Sequence, residues 1–297
     1  MSNKPRKMTL EKKHNLTGWA FLAPATFLIA VFSFWPMIKA LVLSFQTGKG
    51  RNMQMAGFTN YIRMFQDDVF LQSIKNTFFY FILQVPIMLA VAMVLACILN
   101  KKDLRFKGFF RTMIFLPCTT SLVAYSIIFR SLFANDGLVN YVLVNLGILD
   151  KPYNFLTQPF AAKMVIILAL LWRWTGYNMV FFLSGLQNIE YSVYEAAKID
   201  GASAIQTFFK ITVPLLKPTI LLTAIMSTNG TLQLFDESIN LTDGGPANAS
   251  ISMSHYIYNL CFKYVPNFGY AAAMSFFILL LVAVLAFIQM RVGDKRD

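Results

Sequence analysis

Residues 194–218 read YEAAKIDGASAIQTFFKITVPLLKP, and their place between two long apolar runs decides the fold. Tyr191, Tyr194, Ala197 and Lys198 fall on one helical stripe with Glu195 beside it, so a short helix is expected over 190–199. Asp200-Gly201 ends that helix, because glycine adopts backbone angles that other residues resist. Ser203 stands three residues before Gln206, the spacing of a capping box that starts a second helix. Phe208, Phe209, Ile211 and Val213 give the second helix an apolar face, and Pro214 and Pro218 lead into the next apolar run. Helix, sharp turn, helix makes a compact knob, and a rigid knob transmits force where a floppy loop does not. The competing reading is an amphipathic linker lying on a membrane surface.

The chain around this stretch is built for a bilayer. It is 57% hydrophobic and 13% charged, where a soluble domain carries about 25% charge. The charge is missing from runs of about 20 residues, the length that crosses a hydrocarbon core. Six spans are expected, at 19–45, 78–99, 109–129, 164–186, 219–235 and 271–290, in an all-α membrane protein. The fifth is the weakest, because Asn229, Gly230, Thr231 and Gln233 interrupt it, and each such group needs a partner or a water-filled cavity. The first carries Pro24 and Pro36, either of which kinks a helix, and Lys39, which snorkels to the headgroups. No internal repeat appears, so the chain divides into a tail at 1–15, one membrane domain at 16–292 that includes the loop at 190–218, and a tail at 293–297.

The net charge of +12 excludes less than it first suggests. Lys and Arg gather at the ends of apolar runs, not in an arm or stripe beside aromatic platforms, which argues against nucleic acid as a partner. With the N-terminus inside, twice as many Lys and Arg fall in the inside segments as in the outside loops, so both termini are expected in the cytoplasm. The run at 19–45 is too long for a signal-peptide core and is read as a retained span. Cys97, Cys118 and Cys261 lack metal or redox spacing, and His14 and His255 have no HExxH context, so no metal site is expected. Gly48-Lys49-Gly50 is not a phosphate loop, so no ATP is bound in that way by this chain.

Glu195-Ala196-Ala197, Asp200-Gly201-Ala202, Ile211 and Pro214 together resemble the EAA loop of ABC-importer permeases of the carbohydrate branch, maltose-like or multiple-sugar-like. The resemblance extends to Arg111-Thr112 with Leu116-Pro117, to Gly137 and Asn140, and to Trp172, Gly176, Gly185, Leu186 and Ile189. It continues through Leu241-Thr242-Asp243-Gly244-Gly245-Pro246, then Tyr256, Tyr258, Gly269, Ala272 and Ala273, and covers roughly 16–292. The chain lacks the extra N-terminal spans and large outer insertion of some members. The resemblance implies a type I importer architecture whose loop docks on a separate ATPase through Tyr194, Glu195, Ala196, Ala197, Asp200, Gly201 and Ala202. It implies as partners a second homologous permease, two ATP-binding cassette subunits that hold ATP and Mg, an extracellular or periplasmic solute-binding protein, a carbohydrate and membrane lipid. It implies a bacterial or archaeal plasma membrane.

Family members hold sugar near the midplane on polar and aromatic side chains. Here the candidates are Thr119 and Ser121 in the third span, Arg173, Trp174, Tyr177 and Asn178 in the fourth, and Ser227, Thr231 and Gln233 in the fifth; motif alignment places the family's contact positions on Arg173, Trp174, Ser227 and Thr231. A charge in mid-span costs about 2.5–3.5 kcal/mol on insertion scales, so Arg173 is the sharpest of them. Two readings stand beside each other: a hydrogen-bonding fork for sugar hydroxyls or a carboxylate, and a structural role, either an ion pair with Asp236, Glu237 or a sister chain or simple snorkelling. Trp174 and Tyr177 suit stacking on a pyranose, and equally suit packing.

The expected function is the membrane permease of an ATP-driven sugar or oligosaccharide importer, with no enzyme chemistry of its own. A permease for another polar solute, such as a glycerol phosphate, is the first alternative, and Arg173 suits a phosphate. An ion-coupled secondary transporter fits poorly, because the acids lie in loops or at span ends. A membrane-embedded enzyme has no nucleophile–base constellation to carry it.

Overall fold

The computed structural model describes residues 9–49, 52–101 and 103–293. Lys4, Arg6, Lys7, Gly50, Lys102, Lys295 and Arg296, used in the charge and motif readings above, lie outside the described residues. The chain opens with α1 (Leu10–Ile29), a π-helical turn (Ala30–Phe34) and α2 (Trp35–Ser44), which run on as one apolar rod. Pro24 leaves it unbroken; the π turn sits just ahead of Pro36, whose missing N–H that wider turn accommodates. Lys39 lies over the Trp35 ring at 5.2 Å.

A two-stranded antiparallel hairpin follows, β1 (Gln46–Lys49) with β2 (Asn52–Met55), in register Gln46↔Met55. The all-helical expectation had no place for it. It is held at its root by Asn60, on α3 (Thr59–Met64), whose amide donates to the carbonyls of Ser44 and Gln46 at 2.9 and 2.8 Å.

The centre is α4 (Asp68–Asn100) packed along α8 (Pro159–Gln187), with α5 (Lys107–Thr119) and α6 (Leu122–Leu132) against them and α7 (Leu138–Asn145) between. Asp67 caps α4: its Oδ1 accepts from the N–H groups of Val69 and Phe70, and its Oδ2 from the hydroxyls of Tyr256 and Tyr270 at 2.7 Å each. Burial pushes the Asp67 carboxyl up, and those four donors together outweigh it, so the group titrates below the ordinary range.

The third span is not one rod. α5 and α6 meet at 97°, with Thr120 and Ser121 extended between them. Pro117 has already removed a donor, and the hydroxyls of Thr119 and Thr120 turn back onto the carbonyls of Leu116 and Pro117 at 2.8 and 2.7 Å, which competes with helix continuation. The span expected at 109–129 is this bent pair.

After α8 come the knob, α9 (Tyr191–Ile199) and α10 (Ala204–Thr207), then a π turn (Phe208–Thr212), α11 (Val213–Leu215) and α12 (Lys217–Leu232). The segment Ala204–Leu215 meets α12 at 71°. The helix runs straight through Asn229 and Gly230, and its polar groups find partners: Thr231 donates to Gln84 Oε1 at 2.7 Å, and Thr228 accepts from Gln289 at 2.7 Å. It stops at Leu232, short of the expected Phe235. Then α13 (Asp236–Thr242), α14 (Met253–Tyr258), a π turn (Asn259–Lys263) and α15 (Phe268–Gly293) complete the chain.

Among the described residues, four helices are long and apolar enough to cross a membrane, and six spans result when each bent pair counts as one. The described residues of α1 are all exposed, and Phe21, Phe27, Phe32, Leu280 and Phe287 point outward, as a hydrocarbon surround favours.

Candidate functional site

Between α4, α6, α8, α12 and α13 lies a cavity of about 320 Å³, near the small end of known ligand sites. Trp174, Tyr177, Asn178, Ser227, Thr231 and Gln233 all line it. They come from two helices and meet because Ser227 donates to Asn178 Oδ1 at 3.3 Å, while Asn178 donates to the Trp174 carbonyl at 3.1 Å. The Trp174 and Tyr177 rings stand edge to face, 5.9 Å apart and at 86°. Aromatic rings beside amide and hydroxyl groups are what a polyol with one apolar face requires.

Thr119, Ser121 and Arg173 do not line the cavity. Arg173 is 5% exposed. Its Nη1 donates to the Thr120 carbonyl at 2.8 Å and to Thr120 Oγ1 at 3.3 Å, and Nη2 donates to the Cys118 carbonyl at 3.4 Å. Its guanidinium carbon sits 4.8 Å from the Tyr125 ring and 5.3 Å from the Trp174 ring. No carboxylate lies within 4 Å of it among the described residues. The cation therefore satisfies carbonyls released where the third span breaks, and the aromatic faces on either side share its charge.

Sequence reasoning missed Gln84, Met88, Met226, Asp236 and Glu237, which complete the cavity wall. Gln84 carried a signal: an amide in an apolar run two residues before Pro86. Glu237 did not, since it lies at a span end by sequence, yet it is 4% exposed and accepts from the Tyr125 hydroxyl.

The knob forms as its spacing predicts. α9 ends at Asp200; Gly201 has φ +74 in the left-handed region. Ser203 and Gln206 complete a reciprocal capping box, Gln206 N–H to Ser203 Oγ at 3.3 Å and Ser203 N–H to Gln206 Oε1 at 2.8 Å. Ala197 is buried, and the Tyr194 hydroxyl lies 3.4 Å from Thr212 Oγ1, tying α9 to the π turn that follows α10. Glu195, Ala196 and Asp200 are exposed, Ala202 is half-buried, and Ile199, Ile205 and Phe209 project as an unshielded apolar rim. The knob thus carries an exposed acid and exposed apolar side chains together.

At the other end, His255 is fully buried with Nδ1 2.9 Å from Ser238 Oγ; burial pushes its pKa down to about 4, against the opposing pull of Asp243.

The sequence and the fold each have close counterparts. The chain is 51% identical over 292 residues to the lactose transport system permease protein LacF of Rhizobium radiobacter, covering 98% of both chains. It is 33% identical to the multiple sugar-binding transport system permease protein MsmF of Streptococcus mutans, covering 97% of this chain and 99% of that one. Its fold is similar to a chain of a bacterial ABC transporter involved in the import of the acidic polysaccharide alginate, with TM-score 0.85, 24% identity and coverage of 97% and 98%. The model of the family described as binding-protein-dependent transport system inner membrane component matches residues 56–296. With a bent-span membrane fold, a knob between α8 and α12 and that match over most of its length, the chain belongs to the binding-protein-dependent transport system inner membrane component family.

Proposed function

We propose that this chain is a permease subunit of an ATP-driven saccharide importer. The carrying observation is the cavity in which Trp174 and Tyr177 stand beside Asn178, Ser227, Thr231 and Gln233. Sugar rings offer an apolar face to the aromatic pair and hydroxyls to the polar set. The 51% identity to a lactose permease supports the same substrate class.

One chain walls only part of a path, so a second homologous permease supplies the rest, and a solute-binding protein delivers the sugar from outside. A solved complex of the alginate transporter with a pentasaccharide-bound periplasmic protein, 25% identical and at TM-score 0.84, supports such a delivery partner. Two ATP-binding cassette subunits, holding ATP and Mg, grip the knobs through Tyr194, Glu195, Ala196, Ala197, Asp200, Gly201 and Ala202. Their closure swings the bundles between inward-facing and outward-facing states. The membrane is a prokaryotic plasma membrane, with both termini and the knob in the cytoplasm. In intact cells, cysteines placed at Asn145 and Asn248 should then react with impermeant thiol reagents; labelling at Asp103 but not at Asn248 would reverse the orientation.

The functional test is lactose uptake into proteoliposomes holding the assembled transporter. Trp174→Ala should abolish uptake while leaving assembly and basal ATP hydrolysis intact. Normal uptake by that variant would place the sugar elsewhere.

A further inference from the structure

The charges around the cavity are one-sided. Asp236 and Glu237 stand on its wall, and no Lys or Arg lines it among the described residues. The nearest guanidinium, that of Arg173, is turned onto the Thr120 and Cys118 carbonyls. Arg173 and Glu237 both meet Tyr125, the cation over the ring face at 4.8 Å and the carboxylate at the hydroxyl. Burial raises the Glu237 pKa, and the Tyr125 hydroxyl and the Arg173 charge oppose that rise, so Arg173 and Glu237 act on each other beside Tyr125, while Asp236 stands half-buried on the cavity wall.

We propose that Asp236 and Glu237 set the charge selectivity of this cavity, so that it takes neutral saccharides and turns away uronates and sugar phosphates. The proposal rests on reading the cavity as the saccharide path. A wall of low dielectric focuses the field of its charges, which raises the local concentration of cations and lowers that of anions. A neutral sugar is indifferent to that field and still finds acceptors for its hydroxyl protons. An anionic sugar meets like charge on the wall, and no Lys or Arg stands there among the described residues to offset it. The Nη groups of Arg173 are engaged with the Thr120 and Cys118 carbonyls away from the cavity, and its buried Nε has no hydrogen-bond partner among the described residues.

The test uses the assembled transporter with Cys97, Cys118 and Cys261 replaced and a single reporter, Gly230→Cys. Gly230 lines the cavity, and a Cβ there meets open space. Two methanethiosulfonates of similar size, one trimethylammonium and one sulfonate, are reacted with it, and modification of this subunit is followed by intact mass. The cationic reagent should react faster, relative to a free thiol, and the ratio should fall about tenfold when Asp236→Asn and Glu237→Gln are combined. Asp236→Asn alone, which leaves the Glu237–Tyr125 bond in place, should give part of the fall. Lactose should protect the reporter in every background, and its anionic analogue lactobionate only in the neutralised one. An unchanged ratio in both variants overturns the proposal, as does protection by lactobionate with both acids present. A ratio that falls while lactose gives no protection supports the charge assignment and overturns the saccharide reading instead.

Discussion

Arg173 and Thr120 are 53 residues apart in sequence, and the guanidinium of one donates to the main-chain carbonyl of the other at 2.8 Å. That contact joins the fourth span to the break in the third. Without it the carbonyl would face an apolar surround with no donor, a state that membranes penalise strongly. The costly charge and the costly bend satisfy each other.

Replacing Arg173 should therefore register as loss of structure before loss of recognition. Arg173→Ala leaves the Thr120 and Cys118 carbonyls without their donor and is expected to cost about 1–3 kcal/mol, the range for a buried polar group left unsatisfied. Arg173→Lys keeps the charge but loses the fork, and should fall between. Thermal midpoints of the purified complex measure both. Weaker lactose binding by Arg173→Lys at unchanged midpoint would return this side chain to the sugar path.

The knob should be sensitive to shape and charge in separable ways. Gly201→Val forces a β-branched residue to φ +74, costing about 1–2 kcal/mol in that turn, although no neighbouring atom is touched. Glu195→Lys leaves the turn alone and inverts the exposed charge. Each should reduce ATPase co-purification and sugar-stimulated hydrolysis with the subunit still inserted; Glu195→Ala should lose only part, because Ile199, Ile205 and Phe209 keep the apolar rim. Full coupling in both Glu195→Lys and Gly201→Val would remove this loop from the motor contact.

His255 gives a pH dependence whose sign follows from burial. Its ordinary value of 6.5 falls to about 4 in the fold, so between those values the unfolded chain binds more protons. Stability is complete above about pH 6.5 and declines as pH falls towards 4, by about 3 kcal/mol at most. Limited proteolysis of the 236–263 region at pH 7 and pH 4.5 measures it. His255→Gln should flatten the difference; a slope that survives the substitution would assign it to another group.

At Gly176, α8 lies close against the backbone of α5. A Cβ at this position would stand 1.9 Å from the Ile114 carbonyl oxygen, so Gly176→Ala must push backbone apart and should cost about 3 kcal/mol or more, the upper end for overpacking. The companion change Gly230→Ala, into open space, should be silent. Equal yields of folded subunit for the two would contradict the packing.

How much of this was written in the sequence differs from element to element. The knob was legible because its determinants are neighbours: Gly201, Ser203 and Gln206 act within six residues. The spans were legible as runs without charge. The break at Thr120–Ser121 was not, because Pro117 and the threonines only permit it, and Arg173 from another helix completes it. Trp174, Tyr177, Asn178, Ser227, Thr231 and Gln233 do face one cavity, but Gln84 joins them only through Thr231, 147 residues away. Periodicity marked Arg173 as expensive and gave no sign of the direction in which it points. The hairpin at 46–55 was hidden for a different reason: its residues alternate too weakly to announce strands, and Asn60 supplies the clamp.

The capping box of the knob has an evolutionary consequence. Ser203 and Gln206 hold each other, Gly201 turns alone, and none of the three lines the cavity. Substitutions around Trp174 or Asp236 can accumulate without altering the shape of the knob. A lineage that duplicates this subunit can thus drift toward a new nutrient while keeping its old engine.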